Sequence, residues 1–316
     1  MTDKIDRALV TGASGFIGRH VVEELTKSGA YVLAFVRPGT DYGVFSAFSD
    51  IKVIECDMKD YDSIPALIEG DAIDAVFHLA WEGVSDDSAS DEEIQIRNVK
   101  ATVDIVNSAV VIGAKTFVGC GSMHEKEAAI AMDKEQIINS SSYAYAAAKT
   151  AAHWMAAEKC GQNGIRFFWP LINTYGEGEQ SNRLINYVIK SIYKNKSPIL
   201  SEGTQYYDYV HVADVARALC LIAEKGVDRT NYVIGSGNAG QLRDFLIVAG
   251  DTANRLKGGT AIPLGFGLRT GEAICLPKEL FDITKLSNDT GFQITIPFEK
   301  GVERTARWLL DQMENS

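Results

Sequence analysis

Short apolar runs alternate with longer amphipathic stretches through the first half of the chain. The apolar, β-rich runs lie at residues 8–11, 31–36, 52–55, 75–80, 116–120 and 166–171. Between the first two runs, residues 16–27 carry apolar side chains at helical spacing. This alternation predicts an α/β fold in which helices cover both faces of a doubly wound parallel sheet. Ligands of such sheets bind beyond the carboxyl ends of the strands.

The second half of the chain is less regular. Apolar runs at residues 204–212 and 231–234 flank a helical stretch at 212–225. Glycine, proline and polar residues are mixed with helical segments at residues 175–200 and 235–281. This composition predicts a smaller lobe that packs over the sheet and helps to form a ligand site.

A glycine-rich turn follows the first apolar run. Its sequence is Thr11-Gly12-Ala13-Ser14-Gly15-Phe16-Ile17-Gly18, and a helical stretch and a second apolar run come after it. Gly12 permits a tight turn, Gly15 lets the backbone approach a pyrophosphate, and Gly18 lets the helix pack closely on the strand. The helix N-terminus supplies unpaired N–H groups and the positive end of a dipole. The order strand, turn, helix, strand therefore predicts a dinucleotide-binding turn.

Composition narrows the classes of partner and location. The 316 residues suffice for one large α/β domain or for a nucleotide-binding domain with a substrate lobe. A net charge of -11 without a basic cluster argues against nucleic acid and anionic membranes as partners. No apolar run reaches membrane-spanning length and the N-terminus has no signal-peptide pattern, so a soluble cytoplasmic protein is expected.

The cysteines and histidines do not indicate a disulfide framework or a metal site. The cysteines are scattered and form no Cys-x-x-Cys pair, which indicates reduced thiols. The histidines lack metal-binding spacing, so no metal is predicted.

A tyrosine, a lysine and a serine form a candidate catalytic group. Tyr145 and Lys149 are four residues apart in an alanine-rich helical stretch, so they share one helical face. A lysine ammonium beside a tyrosine stabilises the phenolate and lowers the pKa of the phenol. Ser122 follows the apolar run at 116–120 and is a candidate to hydrogen-bond the substrate oxygen that Tyr145 protonates. The structural alternatives are that Tyr145 and Lys149 form an ordinary pair on a helix surface and that Ser122 is a turn residue or a helix cap.

These motifs together resemble the extended short-chain dehydrogenase/reductase superfamily, in particular its NAD(P)-dependent nucleotide-sugar epimerases, dehydratases and ketoreductases. Besides the glycine turn and the catalytic group, the resemblance includes Asp74-Ala75-Val76-Phe77-His78-Leu79-Ala80, Asn98-Val99, Asn173-Thr174-Tyr175-Gly176, Asp208-Tyr209-Val210-His211-Val212 with Asp214, Arg269-Thr270-Gly271-Glu272, Gly291-Phe292 and Gly301. It covers nearly the whole chain. It implies a Rossmann-type NAD(P)-binding domain, residues 1–173 with 207–236, and a substrate-binding lobe, residues 174–206 with 237–316.

The resemblance also implies roles for individual residues. Ser122, Tyr145 and Lys149 take the catalytic roles, and Lys149 also holds the nicotinamide ribose. The implied cofactor-binding set is Gly12, Ser14, Gly15, Phe16, Ile17 and Gly18 in the turn, Asp57 and Met58 near the adenine, Leu79 and Ala80 along the nicotinamide path, and Asn98, Tyr145 and Lys149. The implied substrate-binding set is Trp81, Met123, His124, Asn173, Arg183, Tyr207 and Arg269. Asn173 would contact the phosphates or the sugar, and the Arg269 fork would pair with the diphosphate. For Asp57 and Asn98 a structural role is an equal alternative.

Two departures from the family pattern bear on the substrate. Tyr206-Tyr207 stands where many members carry an arginine, so a phosphate contact is missing or comes from another residue such as Arg183. The loop after Ser122 reads Met123-His124-Glu125-Lys126-Glu127 and not the more frequent Val-Tyr-Gly type of sequence. His124 and Glu125 are candidates to bind sugar hydroxyls or to assist proton transfer, and solvated surface residues are the alternative.

The end of the second apolar run bears on the choice of cofactor. NAD enzymes of this architecture usually carry an acidic side chain there, which binds the adenosine ribose diol. Arg37 occupies this position, and Arg19 directly follows Gly18. These arginines favour the extra phosphate of NADP(H) over NAD(H). Asp41 is the alternative, since the loop at residues 38–41 could fold back and bind the ribose of NAD.

The favoured function is the reduction by NADPH of the C4 ketone of a nucleotide-linked 4-keto-6-deoxy sugar, since a reductase must exchange its cofactor at each turnover. An NAD-dependent nucleotide-sugar 4-epimerase is the alternative. A 4,6-dehydratase is less favoured, because relatives with that activity usually carry an acidic pair where Met123-His124 follows Ser122 here. The hypothesis outside the enzymes is a non-catalytic module that senses NADP.

Two helical stretches bear on assembly. Residues 91–111 and 142–160 resemble helices that pair across a dimer interface as a four-helix bundle in relatives. The second stretch is rich in alanine, which allows close packing. A homodimer is therefore expected.

Overall fold

The computed structural model describes residues 4–68, 73–84, 86–133, 143–269 and 274–314. The strands are β1 (Arg7–Thr11), β2 (Tyr31–Val36), β3 (Ile51–Glu55), β4 (Ala75–His78), β5 (Thr116–Val118), β6 (Gly121–Ser122), β7 (Arg166–Phe168), β8 (Leu171–Ile172), β9 (Thr174–Tyr175), β10 (Tyr206–Tyr207), β11 (Val210–His211), β12 (Val233–Ile234) and β13 (Gly240–Gln241). The helices are α1 (Phe16–Lys27), α2 (Ile64–Leu67), α3 (Glu92–Val111), α4 (His124–Asp133), α5 (Tyr143–Gln162), α6 (Leu184–Tyr193), α7 (Val212–Lys225), α8 (Leu242–Lys257), α9 (Thr284–Thr290) and α10 (Phe298–Glu314).

The main sheet has six parallel strands in the order β3-β2-β1-β4-β5-β7. Strands β1, β2 and β4 are almost wholly buried, which explains why their sequences are continuously apolar. The chain runs outward from β1 through β2 to β3 and then returns to the other side of β1 with β4. Ligands of doubly wound sheets bind where the strand order reverses in this way. The predicted α/β fold with a doubly wound parallel sheet is confirmed.

Two apolar cores lie on opposite faces of this sheet. One contains Val21 and Leu25 of α1 together with Leu219 of α7, and the other contains Ile105 of α3 and Ala152 of α5. Full burial of a valine or leucine side chain contributes roughly 1.5–3 kcal/mol. These contacts hold α1 against the sheet, so the position of its N-terminus is fixed.

A third core lies away from the main sheet, between α6, α8 and α10. It contains Ile189 of α6, Leu246 of α8 and Val302 of α10. This core belongs to the part of the chain for which the sequence predicts a second lobe. The residue boundaries of the two domains remain a prediction.

Some of the predicted strands are shorter than their apolar runs. The run at 166–171 is divided into β7 and β8 by Pro170, which has no N–H for a sheet hydrogen bond. The run at 204–212 contains β10 and β11, which pair with different strands. Between them the Asp208 carboxylate accepts a hydrogen bond from the Gly237 N–H at 2.9 Å. A contact between residues that are distant in the sequence, Asp208 and Gly237, therefore separates two strands within one apolar run.

Three further observations concern the described residues. None of their helices has both the length and the apolar character needed to cross a membrane. Their histidines, cysteines and carboxylates do not gather in a group of three or more that could hold a metal ion. The cysteines at 56, 120, 160, 220 and 275 are free thiols.

Candidate active site

A groove of about 410 Å³ opens where the strand order reverses, at the carboxyl ends of β1 and β4. It is lined by many residues of the predicted cofactor set, namely Gly12, Ser14, Gly15, Phe16, Ile17, Gly18, Arg37, Asp57, Met58, Leu79, Ala80, Tyr145 and Lys149. Trp81 and Arg183 of the predicted substrate set also line it. The structure thus brings together in one groove residues that lie up to 171 positions apart, from Gly12 to Arg183.

The glycine turn has no room for a side chain at Gly12 or Gly18. Gly12 has a φ of +65°, and a Cβ there would lie 2.7 Å from the backbone nitrogen of Ala80. A Cβ on Gly18 would lie 2.0 Å from the carbonyl oxygen of Gly12. Gly15 is the N-cap of α1, where no side chain caps the helix and the first turn has no acidic residue. The free N–H groups and the bare backbone fit the pyrophosphate of a dinucleotide.

The far end of the groove carries Arg37 and Asp57. Arg37 follows β2 directly and is exposed, so its guanidinium can reach a bound anion. Asp57 lines the groove and also accepts a hydrogen bond from the Lys59 N–H at 3.1 Å, so it has a local structural role as well. Asp41 does not line the groove, and its carboxylate accepts from the Gly43 N–H at 2.8 Å.

A second cavity of about 240 Å³ adjoins the groove. It is lined by Ser122, His124, Tyr145, Asn173, Arg183 and Tyr207 from the predicted set. Tyr145 and Arg183 line both spaces. A cofactor in the groove and a substrate in the second cavity would therefore meet at Tyr145.

Tyr145 is buried between two aromatic rings. The Trp81 ring lies 6.1 Å from it at 79°, and the His124 ring lies 6.0 Å from it at 87°, both centroid to centroid. Burial raises the pKa of Tyr145 to about 12, although the charge of Arg183 and a hydrogen bond with Ser122 oppose the change. The phenol is therefore protonated at neutral pH and can act as an acid.

Ser122 is held from two sides by α4, the helix that follows it. Its N–H donates to Glu125 Oε1 at 2.9 Å, and its Oγ accepts from the His124 N–H at 3.3 Å. The hydroxyl group also forms a hydrogen bond with Tyr145, so both side chains lie together at the wall of the cavity. Glu125 also accepts from Trp169 Nε1 at 3.2 Å and does not line either cavity. It positions Ser122 from within the protein.

Lys149 is buried at the bottom of the groove. Its Nζ donates to the carbonyl oxygen of Cys120 at 2.8 Å and lies 3.5 Å from the centroid of the Trp81 ring. Burial lowers the pKa of Lys149 to about 8. The charge of Arg183 acts to lower the pKa of Tyr145. The Lys149 Nζ lies 5.8 Å from the centre of the Tyr145 ring, and its predicted effect on the phenol remains a prediction.

Asn173 presents an unsatisfied donor next to the second cavity. Its Nδ2 is buried and has no hydrogen-bond partner within the described part of the chain. An unpaired buried amide costs about 1–3 kcal/mol. Because Asn173 lines the cavity, a substrate oxygen could satisfy this group.

Four predicted site residues line neither space. The Arg19 guanidinium packs against Gly178 in the field of Glu177 and Glu179, and burial lowers its pKa. Asn98 exchanges hydrogen bonds with the backbone of Glu82 at 2.9 and 2.8 Å. Met123 is buried in an apolar cluster with Leu171 and Phe281. Arg269 is exposed, and its N–H donates to the carbonyl oxygen of Leu200 at 3.0 Å. Their roles toward a ligand remain predictions, and residues 270–272 of the same motif lie outside the described residues.

Sequence reasoning missed Glu179 and Cys120. Both line the groove and the second cavity. Glu179 is buried, and its Oε2 lies 3.5 Å from Arg183 Nε. Neither residue belongs to a motif with recognisable spacing. For Glu179, the only signal in the sequence for a place in the site was its position three residues after Gly176.

A cleft that places a glycine-rich turn beside a buried tyrosine is the arrangement of short-chain dehydrogenases and reductases. The model of the NAD dependent epimerase/dehydratase family matches residues 8–235. The chain belongs to this family, within the extended short-chain dehydrogenase/reductase superfamily. It is an NAD(P)-dependent nucleotide-sugar enzyme.

Relatives with assigned activities cover most of the chain. It is 28% identical over 262 residues to CDP-abequose synthase of Salmonella typhimurium, which corresponds to 80% of this chain and 82% of that relative. It is 26% identical over 323 residues to dTDP-4-dehydro-6-deoxy-D-allose reductase of Streptomyces bikiniensis, covering 95% of each. The crystal structure of UDP-glucose 4-epimerase from Thermotoga maritima with UDP-glucose has a TM-score of 0.76 at 19% identity, covering 97% of this chain and 99% of that one. At this identity the structural similarity shows the fold.

Proposed function

We propose that this enzyme uses NADPH to reduce the C4 ketone of a nucleotide-linked 4-keto-6-deoxy sugar. The observation that carries the proposal is the position of Tyr145, which lines both the groove and the second cavity. From this position its phenol can donate a proton to a ketone oxygen in the second cavity, as ketone reduction requires. A 4-epimerase would use the same tyrosine first as a base, to remove a proton from a hydroxyl group.

The residues around Tyr145 account for the proton side of the reaction. A bound nicotinamide supplies the hydride. The Ser122 hydroxyl donates a hydrogen bond to the ketone oxygen, and Tyr145 transfers its phenolic proton to that oxygen as negative charge develops there. Lys149, fixed on the Cys120 carbonyl, keeps a cation at the bottom of the groove and holds the cofactor ribose.

Arg183 and Asn173 carry the proposed contacts to the substrate. The Arg183 ion pair with Glu179 is long, at 3.5 Å, so the guanidinium retains donors for a diphosphate. Asn173 satisfies its unpaired Nδ2 with a substrate oxygen. Tyr207, in place of the arginine of many family members, stacks on Tyr209 with 5.5 Å between centroids and forms an aromatic wall. Because Tyr207 carries no positive charge, Arg183 takes over the phosphate contact of the missing arginine.

The relatives support this choice without separating it fully from the alternatives. Of the two relatives described above, one is named dTDP-4-dehydro-6-deoxy-D-allose reductase and the other CDP-abequose synthase. A 4-epimerase is the second candidate, since the fold is shared with a UDP-glucose 4-epimerase. A 4,6-dehydratase fits less well, because Met123 is buried in an apolar cluster at a position where an acidic residue would be needed.

The reaction is tested with purified protein, NADPH and a CDP- or dTDP-linked 4-keto-6-deoxy sugar. We expect NADPH oxidation matched by an equal amount of the deoxy sugar alcohol, measured by absorbance and mass spectrometry. Tightly held NAD and interconversion of C4 epimers without NADPH oxidation would instead establish the epimerase. Dinucleotide binding without turnover of any nucleotide sugar would point to the sensing module.

The preference for NADPH rests on Arg37. We expect Arg37→Gln to weaken NADPH binding by about tenfold or more and to leave NADH binding unchanged, because a hydrogen bond to a charged group contributes about 1.5–3 kcal/mol. Titration of both cofactors by fluorescence measures this. Arg19→Gln serves as the comparison, since the Arg19 side chain packs on Gly178 outside the groove. Equal losses for NADPH and NADH in Arg37→Gln would contradict the assignment.

The homodimer is proposed from an apolar groove between α3 and α5. Its lining includes Ile96, 62% exposed, Met155, 52% exposed, and small residues such as Ala147 and Ala151. A second copy related by a two-fold axis would bury the same stripe on both chains. We expect the wild-type protein to elute as a dimer and Ile96→Asp to elute as a monomer in gel filtration. Val111→Asp, at the exposed end of α3 outside the groove, should leave the dimer intact. A wild-type monomer at all concentrations would exclude the proposal.

A further inference from the structure

Tyr145 must regain a proton after each reduction, and its surroundings restrict the source. The side chain is buried, and the rings of Trp81 and His124 lie against it. Lys149 is also buried, and it lines only the groove that the dinucleotide would fill. A bound cofactor would thus separate Lys149 from bulk water. Of the two spaces that the described residues form around Tyr145, the second cavity is the route that the dinucleotide would leave open.

His124 lies on that route with one ring nitrogen engaged. Its Nδ1 is 2.6 Å from Glu127 Oε2, three residues further along α4. Its side chain is 42% exposed, and it lines the second cavity beside Tyr145. Among the described residues, none forms a hydrogen bond with Nε2. The imidazole is therefore partly exposed and packs nearly perpendicular to the Tyr145 ring, while a carboxylate contacts its Nδ1.

The other charged groups of the second cavity are less suited to carry a proton. A guanidinium does not give up a proton in proteins, which excludes Arg183 as a proton carrier. Glu179 is buried, and its carboxylate lies beside Arg183 and accepts the Ser181 N–H at 3.0 Å. An imidazole is the side chain that gains and loses protons near neutral pH. Among the residues described around this cavity, His124 is its only histidine.

The geometry points to His124, oriented by Glu127, as the residue that returns a proton to Tyr145 between turnovers. The inference rests on the proposed reductase function. When Tyr145 has given its proton to the substrate oxygen, the phenolate takes a proton from Nε2 of the imidazolium, directly or through one water. The neutral imidazole then takes a proton from solvent. The proton consumed in each reduction enters by this path, and the Glu127 carboxylate holds Nδ1 during the transfer.

Stopped-flow measurement of NADPH oxidation by His124→Ala separates this role from a structural one. Tyr145 starts each experiment protonated, so the first turnover is expected to be much faster than the later ones. Later turnovers are expected to slow by about 10²-fold, at the lower end of the contribution of a proton-transfer group. The KM for NADPH should not change. Added imidazole should restore the later turnovers, and Glu127→Gln should slow them less.

Lys126→Ala is the matched control, since Lys126 lies on the same turn of α4 and lines neither cavity. It should show wild-type kinetics in both phases. Multiple turnovers of His124→Ala at the wild-type rate would overturn the relay while leaving the reductase in place. A first turnover as slow as the later ones, without a response to imidazole, would also overturn it. No NADPH oxidation by the wild-type enzyme would reject the reductase and the relay together.

Discussion

The Tyr145→Phe variant is expected to lose turnover by a factor of about 10²–10⁴, the contribution of a positioned acid. Phenylalanine keeps the ring that packs between Trp81 and His124, so the local structure should be retained. The variant lacks only the hydroxyl group at the junction of the two cavities. Initial rates of NADPH oxidation at saturating substrate measure the loss.

Cofactor binding and folding should be unaffected in this variant. The dinucleotide is held by the glycine turn, by Arg37 and by Lys149, and these residues do not depend on the Tyr145 hydroxyl. NADPH titration and thermal unfolding therefore serve as controls. Near-normal turnover would show that Tyr145 is not the acid. Loss of NADPH binding would show that the Tyr145 hydroxyl is needed to bind the cofactor in the groove.

The dinucleotide turn could be predicted because its information is local. The sequence from β1 to Gly18 contains the strand, the bare turn and the helix start, and the predicted helix at 16–27 coincides with α1. The common face of Tyr145 and Lys149 was likewise available from helical periodicity. The placement of the Lys149 ammonium was not, because Trp81 and Cys120 reach it from 68 and 29 positions away in the sequence.

The different roles of residues that are adjacent in the sequence were harder to predict. His124 and Glu125 are adjacent in α4, but successive helical side chains differ in direction by about 100°. His124 consequently lines the second cavity, while Glu125 holds Ser122 and Trp169 from within. Arg19 shows the same limit, since the helix turns it from the groove toward Gly178.

Gly18→Ala is expected to abolish dinucleotide binding and to reduce stability. The added Cβ would lie 2.0 Å from the oxygen and 2.8 Å from the carbon of the Gly12 carbonyl, so one backbone segment must move. Gly12 cannot yield easily, because its own Cα faces the backbone of Ala80. Overpacking of this kind costs about 1–3 kcal/mol. NADPH titration and denaturant unfolding measure the two effects separately.

Two other glycines provide controls that separate the loss of binding from the loss of stability. A Cβ on Gly240 would make an ordinary contact of 3.6 Å with Phe245, so Gly240→Ala should change neither quantity. Gly29 has a φ of +85° and open space around it, so Gly29→Ala should cost about 1–2 kcal/mol of left-handed strain while NADPH binding is retained. If Gly18→Ala bound NADPH like the Gly29 variant, the close contact between α1 and the turn would not be needed to hold the pyrophosphate. Loss of binding in Gly18→Ala alone would instead tie cofactor affinity to that contact, since the strained but remote Gly29 variant would have lost stability without losing the ligand.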